Sequence, residues 1–97
     1  MVWSSYIKGF DAYLKLERSL SGNSVEAYHN DIEKLHQFVQ YKSINVSPEQ
    51  INGDHLHEFI AWINELGMSA RSQARIISGL RAFYKCLLLE NLIDNDP

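Results

Sequence analysis

The segment SARSQARIISGLRAFYKCLLLE, residues 69–90, decides the fold, because it separates into two faces of opposite character on an α-helix. Successive residues of a helix lie about 100° apart around its axis. With that spacing the large apolar side chains gather on one broad side: Ile76, Ile77, Leu80, Phe83, Tyr84, Leu87 and Leu88. Such a side is typical of a helix that packs against a hydrophobic core. The segment therefore predicts an amphipathic helix.

The opposite side of this helix is positively charged. Its polar and basic residues are Arg71, Arg75, Ser78, Arg81 and Lys85. Small residues lie between them, and the first acid is Glu90. A solvated face usually mixes signs, because opposite charges four residues apart support each other. A helix face that carries only positive charges, with small side chains between them, favours close approach to a polyanion. Substitutions on it should hardly change stability, because these side chains are expected to lie opposite the core.

The net charge of the chain points the other way. Nine Lys and Arg stand against twelve Asp and Glu, which gives a formal charge of −3. A domain that binds nucleic acid strongly is usually basic as a whole. A local basic patch still attracts a polyanion, since the field near the contact surface is what acts on it. Charge therefore leaves nucleic-acid binding as one hypothesis among others.

Length and composition indicate one globular domain. The chain has 97 residues with an ordinary apolar fraction of 45%, which is the size of a single domain. It has no apolar run near the ~20 residues that span a bilayer and no secretory signal pattern. The one cysteine, Cys86, is placed by the helical spacing toward the polar edge of the last helix. It cannot form an internal disulfide, which fits a reducing compartment. We expect a cytoplasmic protein that does not enter a membrane.

Apolar periodicity and capping signals predict two helices in the first half of the chain. The first begins at Ser4 or Ser5 and ends near Arg18. The second begins at Asn23, which can cap the helix and forms a capping-box pattern with Glu26. Its apolar stripe runs out near residue 41 or 42.

The second half predicts a helical turn and two more helices. A serine followed by Pro48 indicates the start of a single turn. Asp54 is the predicted cap of the third helix and Gly67 its end. Ser69 or Ser72 caps the fourth. No strand alternation or internal repeat interrupts this pattern, so the sequence predicts an all-α fold of four helices.

Local signatures of catalysis or metal binding are missing from the sequence. His55 and His57 are two residues apart on a helix, so they point to different sides. There is no Cys-x-x-Cys or His-Glu-x-x-His spacing, no Gly-x-Ser-x-Gly turn and no glycine-rich phosphate loop. We therefore expect no cofactor, no metal and no small-molecule ligand. The aromatic residues are assigned to the core or an interface, and Trp62 is the one most expected to be partly exposed.

The start of the second helix is a candidate phosphate site. Asn23, Ser24, Tyr28 and His29 cluster on its first turns. Free backbone N–H groups and the positive end of the helix dipole favour an anion at such a position. The alternative is that Asn23 and Ser24 only cap the helix, and the two roles are compatible.

Two stretches carry a resemblance to a known family. LERSLSGNSVEAYHNDI at residues 16–32 and SQARIISGLRAFY at residues 72–84, followed by Asn95-Asp96-Pro97, are similar to the core-binding domain of tyrosine recombinases. This is the SAM-like N-terminal domain of phage integrases and Xer-type recombinases. The resemblance covers nearly the whole chain in the right order. It implies a compact four-helix SAM-like domain at residues 1–93, with residues 94–97 starting a linker to an absent catalytic domain.

The resemblance also implies a function. In this family a C-shaped clamp closes on double-stranded DNA, with the helical domain on one face and the catalytic domain on the other. The positions that match the DNA-facing residues of the family are Ser24, Tyr28, His29, Ser72, Arg75, Ser78 and Arg81. Helical geometry adds Arg71 and Lys85, and the helix start adds Asn23. Arg75 or Arg81 is the candidate for a guanine contact, because a guanidinium can bridge two acceptors.

The family's catalytic residues belong to the domain that is absent, so this fragment should not be an enzyme. His29-Asn30 also stands where many relatives have a basic pair, which weakens the expected phosphate contact. Neighbouring recombinase protomers are further expected partners, with the aromatic first helix as the candidate surface. The alternative function is a helical protein–protein interaction module that uses that helix or Trp62. A downstream Arg, His-x-x-Arg and Tyr pattern in the gene would decide between the two.

Overall fold

Four α-helices and one short 3₁₀ helix form the structure, a computed structural model that describes residues 2–90 and 92–94, apart from the side chain of Val2. The helices are α1 (Val2–Leu16), α2 (Gly22–Tyr41), α3 (Gly53–Glu65) and α4 (Ala70–Leu89), and the 3₁₀ helix spans Pro48–Gln50. The described residues contain no strand. The Cα radius of gyration is 12.9 Å, the value expected of a compact chain of this length. The predicted all-α, four-helix fold is confirmed.

The ends of α1 differ from the prediction. The helix begins at Val2 rather than Ser4 or Ser5, and it ends at Leu16 rather than near Arg18. Ser19 has a left-handed φ of 53°, and the amide of the next residue donates to the carbonyl of Leu14 at 3.0 Å. This turn leads the chain out of α1 two residues earlier than the apolar pattern indicates.

Two predicted helix caps are wrong by two residues. Ser21 caps α2, with its hydroxyl accepting from the Ser24 amide at 3.3 Å, so Asn23 lies within the first turn. Asn52 caps α3 in place of Asp54, and it exchanges hydrogen bonds with His55. Both errors have one cause, because several residues that cap equally well stand close together in the sequence.

The other predicted boundaries are confirmed. Ser69 caps α4 and accepts from the Ser72 amide at 3.1 Å. Gly67 follows the end of α3, and its φ of 83° lies in the left-handed region that favours glycine. Pro48 opens the short 3₁₀ helix. Residues 95–97, where the start of a linker is predicted, lie outside the described residues.

The core lies between the four helices and is rich in phenylalanine. Phe10 of α1 meets Phe83 of α4 edge-on, with ring centroids 5.3 Å apart. Phe38 of α2 meets Phe59 of α3 in the same way at 5.6 Å. The predicted apolar side of α4 faces this core: five of its residues are buried, and Ile77 and Leu88 are half-buried.

Burial contradicts the expectation for Cys86 and limits the aromatic surface of α1. Cys86 is fully buried rather than at a polar edge, because α4 also buries the side that includes Gly79. Burial and the nearby Glu90 carboxylate raise the pKa of its thiol to about 12. Trp3 and Phe10 are buried in the core, in agreement with the assignment of the aromatic residues to the core or an interface. Tyr6 and Tyr13 are half-buried, so any aromatic surface on α1 is limited to these two residues.

Trp62 is partly exposed, as predicted. Its ring stacks on that of the exposed Tyr41, with centroids 6.0 Å apart, and the ammonium of Lys34 lies 5.8 Å from the Trp62 ring centroid. Among the described helices, none is both long and apolar enough to cross a membrane.

Candidate nucleic-acid interface

Helices α2 and α4 are in close contact at Asp31 and Gly79. Asp31 lies in the middle of α2, and its side chain is only 1% exposed. A Cβ placed on Gly79 would lie 2.8 Å from the Cβ and 2.9 Å from the Cγ of Asp31, closer than real side chains pack. A glycine at this position therefore allows the two helices to approach closely.

The buried Asp31 carboxylate holds Arg75 of α4. Nη2 of Arg75 lies 2.8 Å from Oδ1 as an ion contact, and Nη1 donates a hydrogen bond to Oδ2 at 3.2 Å. The Arg75 side chain is 54% exposed. One edge of its guanidinium is therefore fixed against α2, while more than half of the side chain stays open to solvent.

Burial dominates the electrostatics of Asp31. Loss of solvent raises the pKa of its carboxyl from 3.8 to about 6, although the charge and hydrogen bond of Arg75 act to lower it. Oδ1 is in ionic contact with Nη2 of Arg75 but accepts no hydrogen bond in the described structure. The carboxylate is thus ionised at neutral pH, but in an environment that disfavours its charge.

The other cations of α4 form an exposed basic face, which we define as Arg71, Ser78, Arg81 and Lys85 together with the outer edge of Arg75. All of these residues are exposed. Within the described part of the chain, no acid forms an ion pair with Arg71, Arg81 or Lys85. Ser72 differs from them, because it is half-buried and its hydroxyl and amide bond to Ser69 in the helix cap.

The structure brings part of α2 next to this basic face. Ser24, Tyr28 and Asp31 are spaced three and four residues apart, so they lie on one side of the helix. The Asp31–Arg75 pair joins that side of α2 to α4. Tyr28 is half-buried, with its ring edge-on to Phe10 at 6.3 Å, and Ser24 accepts a hydrogen bond from the Ser21 hydroxyl at 3.2 Å.

Two of the predicted site residues on α2 lie elsewhere on the helix. The ring of His29 is paired with α1, where its Nδ1 is 2.9 Å from Oδ2 of Asp11. Asn23 is exposed in the first turn, about 100° around the helix from Ser24. Neither residue shares the side of α2 that holds Arg75.

Sequence reasoning misses the residues at the centre of the helix contact. Helical spacing treats Gly79 as a small residue of the polar side of α4, and it gives Asp31 no role. The available signal is that Asp31 lies three residues after Tyr28 and four before Leu35, which places an acid at the edge of the apolar stripe of α2. A charged residue in such a place is rarely buried without a partner. Its partner on another helix cannot be deduced from spacing.

An apolar groove borders the basic face on the side of α3. Its volume is about 580 Å³. Arg81 and Lys85 stand at the edge of this groove, and its apolar lining comes from α3 and α4: Leu56, Ile60, Ile77, Leu80, Tyr84 and Leu88. Elsewhere in the described residues, no group of three or more His, Cys, Asp or Glu side chains is arranged to hold a metal ion.

A compact four-helix domain with a cationic last helix has the architecture of the SAM-like domains that occur in DNA recombinases. The family model for the phage integrase N-terminal SAM-like domain matches residues 7–91 of the chain. The chain therefore belongs to this family, which confirms the resemblance found in the sequence.

The relatives of the chain are tyrosine recombinases. It is 39% identical to the tyrosine recombinase XerD of Pseudomonas aeruginosa over 84 residues, covering 87% of this chain and 28% of that protein. It is 36% identical to XerD of Chlorobaculum tepidum over 95 residues, 98% of this chain and 31% of that protein. The tyrosine recombinase XerC of Stutzerimonas stutzeri is 36% identical over 85 residues, 88% of this chain and 28% of that protein. The chain thus spans under a third of the length of these relatives. No solved structure matches it significantly.

Proposed function

We propose that this chain binds double-stranded DNA as the N-terminal half of the clamp of a site-specific tyrosine recombinase. The observation that carries the proposal is the basic face of α4, whose cations Arg71, Arg81 and Lys85 have no acidic partner in the described residues. Membership of the integrase family and relatives named tyrosine recombinases support it. Residues 1–93 form the binding domain in this proposal, and residues 94–97 begin the linker.

Different residues of the interface have different roles in the proposal. Arg71, Arg81 and Lys85 contact phosphates and position the domain, since such contacts carry little sequence information. Arg75 reads a base edge in the major groove, because a guanidinium can bridge the two acceptors of guanine. The first turn of α2 adds the positive end of the helix dipole and the Ser24 hydroxyl for a phosphate, since the Ser24 amide is already bonded to Ser21.

The acidic net charge is compatible with this role because the acids lie on other elements. Exposed acids occur on α2 and α3, including Glu26, Glu58 and Glu65, whereas α4 carries none. The attractive field is therefore concentrated at the face of α4. In this proposal, cleavage and joining of DNA strands belong to a separate domain of the full-length protein. The proposal also assigns the protein to the cytoplasm, where its substrate, double-stranded DNA, is found.

Contacts with neighbouring protomers form the second part of the proposal. The predicted aromatic surface of α1 is reduced to the half-buried Tyr6 and Tyr13, because Trp3 and Phe10 are buried. Large apolar side chains are instead exposed at the ends of α1 and α4, with Leu16 82% and Leu89 61% exposed. These ends are the better candidates for contacts with other protomers.

The DNA-binding proposal is tested by titrating the chain against a labelled duplex of random sequence at several salt concentrations. With about three to five phosphate contacts, log K should fall against log salt with a slope of roughly −3 to −4.5. The double variant Arg81→Ala/Lys85→Ala should bind more weakly, with a slope smaller in magnitude by about 2. The double variant Lys8→Ala/Lys15→Ala is the matched control, because it also removes two positive charges and both cations are exposed on α1.

Undiminished affinity and slope in the double variant would refute the DNA-facing role of α4. A helical protein-interaction module would then be the better description, and the apolar groove beside Arg81 would be its first candidate surface.

A further inference from the structure

The pair formed by Asp31 and Arg75 is asymmetric in its exposure. Asp31 is 1% exposed, whereas the Arg75 side chain is 54% exposed. The acid therefore belongs to the interior of the domain and the base to its surface. A surface arginine tied to a buried acid on another helix differs from the unpaired cations around it.

Stability alone does not account for this pair. Burial of the carboxylate opposes its charge more strongly than Arg75 supports it, as the raised pKa of Asp31 shows. Replacing buried ion pairs by neutral groups of similar shape is often neutral or stabilising. Replacing Asp31 by a neutral residue of similar shape would not leave Arg75 as a buried charge, because the Arg75 side chain is already open to water.

What the pair does provide is a fixed position for a flexible side chain. Arginine has many rotamers, and its planar fork binds specifically only when the fork is oriented. The Asp31 contacts involve Nη1 and Nη2 from one direction. They hold the guanidinium at the α2 side of the basic face, while the Arg75 side chain as a whole stays 54% exposed. Gly79 contributes by letting Asp31 approach α4 closely.

We propose that Asp31 is a positioning residue that orients Arg75 for a base contact in bound duplex DNA. This inference rests on the proposed function, since it assumes that the basic face of α4 meets DNA. Asp31 itself does not touch the DNA. It acts through Arg75, by presenting the guanidinium in one orientation before binding.

The inference predicts a loss of base preference, which a change of charge alone does not produce. Asp31→Asn removes a negative charge of the domain, which by charge alone should tighten binding to any polyanion. Loss of the positioning contact should instead abolish a base preference. Glu26→Gln is the matched control, because it makes the same charge change at an exposed position of the same helix. It should preserve the base preference.

The experiment selects bound sequences from a randomised duplex pool at low salt with the wild-type chain and with each variant. A bidentate arginine should give the wild type a guanine preference of about 5- to 150-fold at one position. Arg75→Ala should lose that preference, and Asp31→Asn should lose it to within about twofold of Arg75→Ala. The double variant Asp31→Asn/Arg75→Ala should show no further loss, because the two residues act as one unit.

Circular dichroism of each variant accompanies the selection. If Asp31→Asn fails to fold, ¹⁵N relaxation of the arginine side chains in the free wild-type chain gives the test. The Nε–H group of Arg75 should be more ordered than that of Arg81, which has no acidic partner in the described residues, and equal mobility of the two would overturn the positioning role of Asp31.

The outcomes separate this inference from the proposed function. A guanine preference that survives in Asp31→Asn but not in Arg75→Ala overturns the positioning role of Asp31 while leaving DNA binding intact. A wild-type chain that binds duplex with no base preference also overturns the positioning role of Asp31 and leaves DNA binding intact. A wild-type chain that binds no duplex at low salt overturns the proposed function itself.

Discussion

Deprotonation of Asp31 should make the domain less stable as pH rises. The pKa of this carboxyl is about 6 in the folded chain and 3.8 for an unperturbed side chain. Between these two pH values the folded state therefore binds the proton more tightly than the unfolded state does. The free energy of unfolding must then fall with increasing pH across that window and level off above it.

The size of this effect follows from the same two pKa values. They differ by about 2 units, and one unit corresponds to about 1.4 kcal/mol. Asp31 should therefore reduce stability by about 3 kcal/mol between pH 4 and pH 7. A domain of this size has about 5–15 kcal/mol in total, so a change of this size is readily measured.

Comparison with Asp31→Asn isolates this group from the other titrating residues. The amide that replaces the carboxyl keeps the shape of the side chain and does not ionise, so the variant should become more stable relative to wild type as pH rises from 4 to 7. Urea denaturation followed by circular dichroism at several pH values measures the difference. Parallel curves for the two proteins would refute the reasoning. A wild type that becomes more stable relative to the variant as pH rises would show that the effect of Arg75 on the pKa of Asp31 outweighs the effect of burial.

Three further predictions concern single residues. Arg75→Ala should cost roughly 1–3 kcal/mol at pH 7, because it leaves the buried Asp31 carboxylate without its only ion contact among the described residues. Phe83→Ala should cost about 3–5 kcal/mol, because this ring is fully buried against the core. Cys86 should react with iodoacetamide at neutral pH only when the chain unfolds, because its thiol is buried and its pKa is raised to about 12.

Each of these predictions has a control or a contrary outcome. Arg81→Ala should leave the denaturation midpoint nearly unchanged, and an equal loss in Arg75→Ala and Arg81→Ala would mean that the ion pair is not the cause. Leu89→Ala is the control for Phe83→Ala. Leu89 is 61% exposed, and substitutions at such surface positions usually change the free energy of unfolding by less than about 0.5 kcal/mol. Rapid alkylation of the folded chain would contradict the burial of Cys86.

Periodicity predicts the helices well because it reports directly on which side of a helix is buried. The apolar side of α4 is the clearest case: Ile76, Leu80 and Phe83 face the core as expected. Helix starts are harder. Ser21 and Asn23 belong to residue types that cap equally well, so composition does not show that Ser21 is the one used.

Residues whose environment depends on two helices are not predictable from spacing. Cys86 and Gly79 stand at the boundary between the two faces of α4, and the approach of neighbouring helices buries both. Asp31 escapes prediction for the same reason, because its burial is understandable only together with Arg75, 44 residues away in the sequence. A helical wheel gives the faces of one helix, but not which boundary residues a second helix will cover.

Arg75 shows how this limit affects the interpretation of the candidate site. Spacing places it with Arg71 and Arg81 as an equivalent surface cation whose loss should not affect stability. The structure separates it from them, because only Arg75 among the three is joined to a buried acid in the described residues. That contact gives it a structural partner and a restricted orientation at once. Within one basic face, the cations without such a partner are therefore suited to phosphates, which need charge but little orientation. The arginine fixed by α2 is suited to a base edge, which needs both.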